Sequence, residues 1–247
     1  MTADTDFAEA LLAAARPEAG VGDPFIEALV TGQMTGEGVR SYAMALVAIA
    51  TGFPRRLAAI LSICDHLEVR WSLIGNLLEE EGVTGYDPGA GVRVVCERRH
   101  GELARRFARA AGATDAEIDA AVAASRESRW FAEAIRRGDW LGAFAYVSIG
   151  HEANVPSTFR QIVPSLVERY GFSLADLAFL TEHFVADERH GQESAHLLAR
   201  VAQSEDARRS AMEGSRRGGS AWRAWPRTSI GLHFASPAPA RPVNAAP

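Results

Sequence analysis

The stretch TEHFVADERHGQESAHLL at residues 181–198 carries three metal-ligand side chains in one helical register. His183, Asp187 and His190 are separated by four and then three residues, so a helix presents two imidazoles and a carboxylate on one face. At a rise of ~1.5 Å per residue, the two histidines lie roughly 10 Å apart along the axis, with Asp187 between them. This spacing favours two metal ions bridged by one carboxylate over a single ion.

Apolar residues continue the same helical face, which predicts that these polar groups point toward a core. Leu180 and Leu197 belong to that face. Because a buried ionisable group needs a partner, and helical carboxylate sites draw ligands from several facing helices, further ligands are expected elsewhere in the chain. The alternative is a helix of ordinary polarity, whose histidines lie in the core or at the surface.

The remaining sequence predicts an all-α protein, because nearly every segment has helical spacing and strictly alternating β-branched stretches are lacking. We expect one helical domain over residues 1–225 and a disordered Pro/Ala-rich tail over residues 226–247. Residues 83–91, VTGYDPGAG, form a turn-rich break, after which helical spacing resumes. The predicted helices are about 6–16, a short one beginning at 23, 35–64, 67–82, 92–112, 114–137, 141–170 and 173–203. Pro54 is expected to kink or break the third of these, and Pro156 to bend the seventh. Ser173 and Asp176 are the expected capping pair of the last helix.

The composition of the chain limits the classes of partner that it can bind. Its 247 residues, 47% of them hydrophobic, suit a single sizeable core. The formal net charge of -5, without a basic block, argues against nucleic acid or an anionic membrane as a partner and leaves a small-molecule substrate. The chain has neither an uncharged apolar run of membrane-spanning length nor a basic leader, so we expect a cytoplasmic protein. The only cysteines, Cys64 and Cys96, are expected to be reduced thiols.

All 26 basic residues counted as lysine plus arginine are arginines. The absence of lysine excludes a pyridoxal phosphate Schiff base, a lysine nucleophile and a Walker-type phosphate loop.

Glu152 is the strongest candidate for a further ligand. It stands in AYVSIGHEANVPSTF at residues 145–159, where apolar neighbours would otherwise leave a buried charge without a partner. Pro156, four residues later, cannot donate to the carbonyl of Glu152. His151 points off that helical face, and we expect it to be structural or exposed.

Two other segments offer ligands. The run NLLEEEG at residues 76–82 contains three consecutive glutamates, and helical periodicity does not decide between Glu80 and Glu81. His100 follows in ERRHGELARRF, with Glu97 one turn earlier on the same face. Taken alone, His100 is either a ligand or a surface residue.

The order of these motifs resembles that of the haem-oxygenase-like diiron oxidases, iron-containing redox enzymes in the wider group of thiaminase II and pyrroloquinoline quinone synthase. The resemblance covers about residues 20–225 and implies a haem-oxygenase-like bundle of about seven to eight helices. The motifs that carry it are NLLEEEG at 76–82, HGELARRFARAAG at 100–112, GHEANVPSTF at 150–159 and HFVADERH at 183–190.

The resemblance implies two iron ions as cofactors and dioxygen as co-substrate. The family's glutamate usually stands two residues before a glycine, here Gly82, which favours Glu80 over Glu81. Glu97 would serve as an additional carboxylate. The ligand sets implied are Glu80, His100 and His190 for one iron, and Glu152, His183 and Asp187 for the other.

The chain departs from the family pattern between the first two ligands. Family members place that glutamate and histidine close together on one helix, whereas residues 83–99 separate them here. We expect this insertion to act as a mobile flap whose closure brings His100 to the iron.

The resemblance implies a non-haem diiron oxidase or oxygenase that oxidises a small organic, amino- or fatty-acid-like substrate in a biosynthetic pathway, with an unidentified electron donor. The alternatives are a cofactor-free oxidase or thiaminase II-like enzyme on the same fold, and a non-catalytic iron- or ligand-binding helical protein. Arg40 and Arg160 are candidates for pairing with a substrate carboxylate. A homodimer is compatible with all of these hypotheses.

Overall fold

The computed structural model describes residues 3–16 and 23–230, and it confirms the all-α prediction. Its helices are α1 Ala3–Ala15, α2 Pro24–Thr31, α3 Gly36–Ile63, α4 Leu67–Glu80, α5 His100–Ala110, α6 Asp115–Ala124, α7 Arg129–Arg136, α8 Trp140–Phe144, α9 Val155–Glu168, α10 Ala178–Val201 and α11 Glu205–Ile230. The strands β1 Val83–Asp87 and β2 Gly91–Val94 form an antiparallel hairpin. A 3-10 turn, Cys96–Arg98, follows the hairpin. A π-helical segment, Ala145–His151, and a second 3-10 turn, Glu152–Asn154, join α8 to α9.

Capping residues explain several helix starts. Asp23 accepts a hydrogen bond from the backbone N–H of Phe25, and Pro24 occupies the first turn of α2. Thr35 caps α3 in the same way. Thr114 and Glu117 form the reciprocal capping box of α6. Pro54 was expected to kink or break its helix, but α3 is assigned as one helix on both sides of it.

Two predicted helices are wrong in detail. Helical spacing was expected to resume directly after Gly91, but VRVV at 92–95 supplies the second strand, because β-branched valines favour extended backbone. Residues 114–137 were expected to form one helix. They form α6 and α7, since the chain leaves the helix after Ala124 and Ser128 caps a new one. With α11, which was not predicted, the described residues contain the eleven α-helices named above, whereas the sequence predicted eight helices.

Helix α3 is the longest apolar element of the part of the chain that the structure describes. Its length and composition alone would suit a membrane span, and 44% of its most apolar 18-residue stretch is buried inside the protein. It contacts α4, α5 and α6, so the core accounts for much of its apolar character.

The π-helical segment is held by close backbone packing against α11. Gly150 faces Gly218, where an added Cβ would lie only 2.5 Å from the Gly218 Cα. A π-helix is rare and is stable only where tertiary packing supports it. This packing sets the position of the residues that follow, including Glu152.

The predicted domain boundary at residue 225 lies inside α11, which continues to Ile230. The rest of the predicted tail, residues 231–247, lies outside the described residues.

Candidate metal centre

The structure brings together all six residues proposed as principal ligands. They form two adjacent triads, and the potential ligand atoms within each triad lie within 4.8 Å of one another. The first triad is Glu80, His100 and His183; the second is Glu152, Asp187 and His190. The ligands come from α4, α5, the turn before α9, and α10.

The first triad centres on the Glu80 carboxylate. Its Oε1 lies 2.9 Å from Nδ1 of His100 and 3.9 Å from Nε2 of His183. The two imidazole rings are 4.3 Å apart between centroids. The Nδ1 atom of His100 is buried and lacks a hydrogen bond of good geometry, although Glu80 is near. A cation between these groups would satisfy all three.

The backbone fixes the orientation of His183. Its Nδ1 lies 2.7 Å from the carbonyl oxygen of Phe179, one turn earlier on α10, and donates to it. That bond leaves the Nε2 lone pair free to bind a metal, as is usual for a ligating histidine. Burial, together with the nearby His100, lowers the pKa of His183 to about 3, so the ring is neutral.

The second triad combines two buried carboxylates with one imidazole. Oδ1 of Asp187 lies 3.5 Å from Nδ1 of His190. Asn76 donates to Oε1 of Glu152 at 2.6 Å, whereas Oε2 of Glu152 is buried without a partner. The amide therefore orients the carboxylate and leaves its second oxygen available.

The second triad has too little positive charge to balance its two buried carboxylates. Burial and the Asp187 charge raise the pKa of Glu152 well above its usual value. Burial likewise raises the pKa of Asp187 to about 6. Burial lowers the pKa of His190, but the Asp187 and Glu152 carboxylates outweigh that effect and raise it to about 9. A bound cation would stabilise both carboxylates in their ionised form.

The two histidines of α10 are grouped the opposite way from the arrangement implied by the family resemblance. His183 joins Glu80, and His190 joins Glu152. The reason is the path of α10: its first turns pass α5, where His183 meets His100. Two turns later, α10 passes the 3-10 turn Glu152–Asn154, where Gly191 lies against Ala153.

The three glutamates that end α4 have three different environments. Glu80 is buried in the first triad. Glu81 accepts a hydrogen bond from Arg99 at 2.6 Å and lies outside both triads. Glu79, one of the three glutamates between which the sequence leaves the choice open, lies outside both triads, but its Oε2 is 3.2 Å from Nε2 of His190, which makes it a half-exposed neighbour of the second triad. The other additional candidate, Glu97, is exposed and belongs to neither triad.

The insertion does not keep His100 away from the site. Gly82, at φ 66°, turns the chain out of α4, and its carbonyl accepts from the N–H of Val95 at 2.9 Å, which closes the base of the hairpin. Residues 83–99 therefore loop out and return to the same point. His100, the first residue of α5, already lies beside Glu80, so the expected flap closure is not needed to bring it there.

An apolar cavity of about 30 Å³ adjoins the triads. Its aromatic walls are Phe53, Phe159, Phe179 and Trp222, and it reaches Glu80, Glu152, His183 and Asp187.

Neither arginine proposed to pair with a substrate carboxylate lines this cavity. Arg40 pairs with Glu37 and Glu117, and Arg160 with Glu188.

His151 departs most from its predicted position. It was expected to be structural or exposed because it precedes Glu152 and should point elsewhere on a regular helix. The side chain is buried and lines the cavity together with Glu152. Burial and the charge of Arg56 lower its pKa well below the usual value, so the ring is neutral. The change from π-helix to 3-10 turn at this point alters the angle between successive side chains.

Comparison with known proteins finds a matching family and several named relatives. The sequence profile of a family described as iron-containing redox enzymes matches residues 40–223. The chain is 30% identical over 185 residues to a 4-aminobenzoate synthase of Chlamydia muridarum, covering 74% of this chain and 73% of the relative. It is 33% identical over 170 residues to the 4-aminobenzoate synthase of Chlamydia trachomatis serovar D, covering 68% of each. A 4-aminobenzoate synthase of Chlamydia pneumoniae is 26% identical over 171 residues.

Proposed function

Because this chain belongs to the family of iron-containing redox enzymes and is an oxidoreductase, we propose that it is a non-haem diiron oxygenase acting on a small aromatic substrate in biosynthesis. The observation that carries the proposal is the pair of adjacent triads, each built from carboxylate and imidazole ligands. Carboxylate and imidazole donors with open positions suit iron that reacts with dioxygen, whereas a closed thiolate set would indicate structural zinc.

The buried groups support a bound metal in both triads. His100 Nδ1, His190 Nδ1 and Glu152 Oε2 are buried polar atoms without a hydrogen-bond partner. Leaving any of these groups unpaired would destabilise the folded protein, and each is a ligand type for iron. When bound, iron would supply the electrons that dioxygen needs.

The chain's own residues would orient the ligands and exclude water. The Phe179 carbonyl holds the His183 ring, and the Asn76 amide holds the Glu152 carboxylate. The apolar cavity beside them would hold the substrate's reacting carbon next to the metals and would keep bulk water out.

The choice of an aromatic substrate rests on two observations. Phenylalanine and tryptophan rings line the cavity. The relatives described above are named 4-aminobenzoate synthases, and 4-aminobenzoate is a small aromatic compound. These observations favour an aromatic molecule over the fatty-acid- or aliphatic amino-acid-like substrates that the wider resemblance also includes.

Anaerobic titration with iron(II) tests the metal content. Saturation near two equivalents per chain, followed by oxygen consumption when a reductant and air are admitted, is the expected result. Product analysis by mass spectrometry then tests for oxidation of candidate aromatic compounds. Full activity after chelation would contradict the proposal in favour of a cofactor-free enzyme. Iron uptake without any product from such compounds would favour a non-catalytic iron-binding protein.

A further inference from the structure

His151 is a buried polar residue that the two metal triads do not use. It is 7% exposed, and its Nε2 atom has no hydrogen-bond partner. The rings of Tyr146 and Trp222 lie 4.7 and 6.3 Å from its ring, between centroids. A ring nitrogen enclosed in this way loses its hydrogen bond to water, and Nε2 gains none from the protein.

The His151 imidazole lines the apolar cavity. Among the described residues that line it, four belong to the triads and eight are apolar. His151 is the one remaining polar lining residue. No arginine is among the described lining residues, and the chain contains no lysine, so the walls offer no lysine or arginine side chain to an anionic substituent. The walls therefore suit an uncharged ring that carries a single hydrogen-bonding group.

We propose that His151 is the specificity-determining anchor of this cavity, hydrogen-bonding the hydroxyl or amino group of an uncharged phenol- or arylamine-class molecule. This proposal rests on the proposed function and adds the substrate class and the residue that selects it. An imidazole Nε2 accepts a hydrogen bond in one tautomer and donates one in the other, so it can pair with either substituent. The apolar walls would hold the ring beside the triad residues that line the same cavity.

The size of the cavity adds a condition. At about 30 Å³ it has room for a molecule no larger than water or dioxygen, so a ring has to displace a wall side chain. Trp222 is one such wall residue; it lies on α11, and its Nε1 donates to Thr158 Oγ1 at a long 3.3 Å. We therefore expect ring binding to change the environment of Trp222.

The test compares three uncharged probes: p-cresol, p-toluidine and toluene. Each is titrated calorimetrically into anaerobic iron-loaded protein. Wild type should bind p-cresol and p-toluidine about tenfold more tightly than toluene, because one neutral hydrogen bond to a buried group contributes on this scale. His151→Leu and His151→Phe should abolish that preference, and His151→Gln should retain part of it. His196→Leu, which changes an exposed histidine of α10, is the matched control and should keep the wild-type preference.

Iron content and oxygen consumption separate this proposal from the proposed function. Iron content should remain at the wild-type level in His151→Gln, because His151 belongs to neither triad, and the control His196→Leu should keep both iron content and oxygen consumption. The proposal is overturned if toluene binds wild type as tightly as p-cresol, if no probe binds, or if the preference survives in a folded, iron-loaded His151→Leu or His151→Phe protein. In the last case the polar group of the probe pairs elsewhere. A protein that takes up no iron instead contradicts the proposed function.

Discussion

At the scale of single residues, neighbouring glutamates at the end of α4 differ sharply in role. Glu80 lies in the first triad, whereas Glu81 pairs with Arg99 at the surface. Glu80→Gln should therefore lower the iron content from two to about one per chain, because one ligand charge is lost from a single site. Glu81→Gln, the matched control one residue away, should retain two. Anaerobic metal analysis after desalting measures both, and equal iron contents in the two variants would show that the assignment is wrong.

The pH dependence of iron binding follows from the second triad. Iron has to displace a proton from His190, whose pKa is raised to about 9, and competes with protonation of Asp187, whose pKa is raised to about 6. Metal binding releases these protons, so iron affinity should rise steadily from pH 5.5 to pH 8.5. Competition against a chelator of known pH dependence measures it. A flat profile would mean that neither group is a ligand.

Glu152→Gln should stabilise the iron-free protein. Burial raises the pKa of Glu152 above its unfolded value of 4.5, so the folded state disfavours the ionised form. The resulting loss of stability is absent below pH 4.5 and grows as the pH rises above it. Glutamine keeps an acceptor for Asn76, so the variant should gain about 1–3 kcal/mol at pH 7.5 and little at pH 4. Urea unfolding at both values tests this, and the same variant should bind iron less well.

Much of the candidate site could be predicted from residue types and spacing, but its internal arrangement could not. A helical register shows that His183, Asp187 and His190 share a face. It does not show which neighbouring element each of them contacts, and the grouping of the histidines implied by the family resemblance is the reverse of the one in the structure. The direction of His151 was predicted wrongly because the helix changes its pitch there, and periodicity assumes a constant pitch.

At the scale of elements, the π-helical segment depends on its glycine contact with α11. Gly150→Ala places a Cβ against the backbone of Gly218, so it should destabilise the protein and displace Glu152, lowering iron occupancy of the second triad. Gly75→Ala is the matched control, because its added Cβ in α4 meets nothing within 4 Å. That variant should gain about 0.5–1 kcal/mol from higher helix propensity. Denaturant unfolding and iron analysis of the pair test the prediction.

Local signals predicted the beginnings of helices and missed the elements that depend on tertiary packing. Asp23, Thr35 and Thr114 each cap a helix as their neighbours in sequence indicate. The hairpin was missed because its turn residues were recognised but the short valine-rich strand after them was taken as helical. The π-helical segment has no local signal, since its pitch is supported by α11, about seventy residues later in the chain.

At the scale of the whole molecule, the two metal sites would join segments that are distant in sequence. Ligands from α4, α5, the turn before α9, and α10 come together only in the folded state. Iron should therefore bind the native protein and stabilise it by about 2.7 kcal/mol at a free concentration one hundred times its Kd. Calorimetric unfolding with and without a chelator measures this shift. An unchanged Tm with two irons bound would argue against ligation across helices.

The packing of α11 on the π-helical segment also has a consequence for synthesis of the protein. In chain order α11 follows all six ligands, yet it supports the segment that leads into Glu152. During translation, the ligands leave the ribosome before the helix that orders their surroundings. Until α11 packs, the π-helical segment lacks this support, and the six ligands are not yet held in their two triads. We therefore expect iron to bind stably only after α11 has packed, and the divalent metals present at that stage to compete for the ligands.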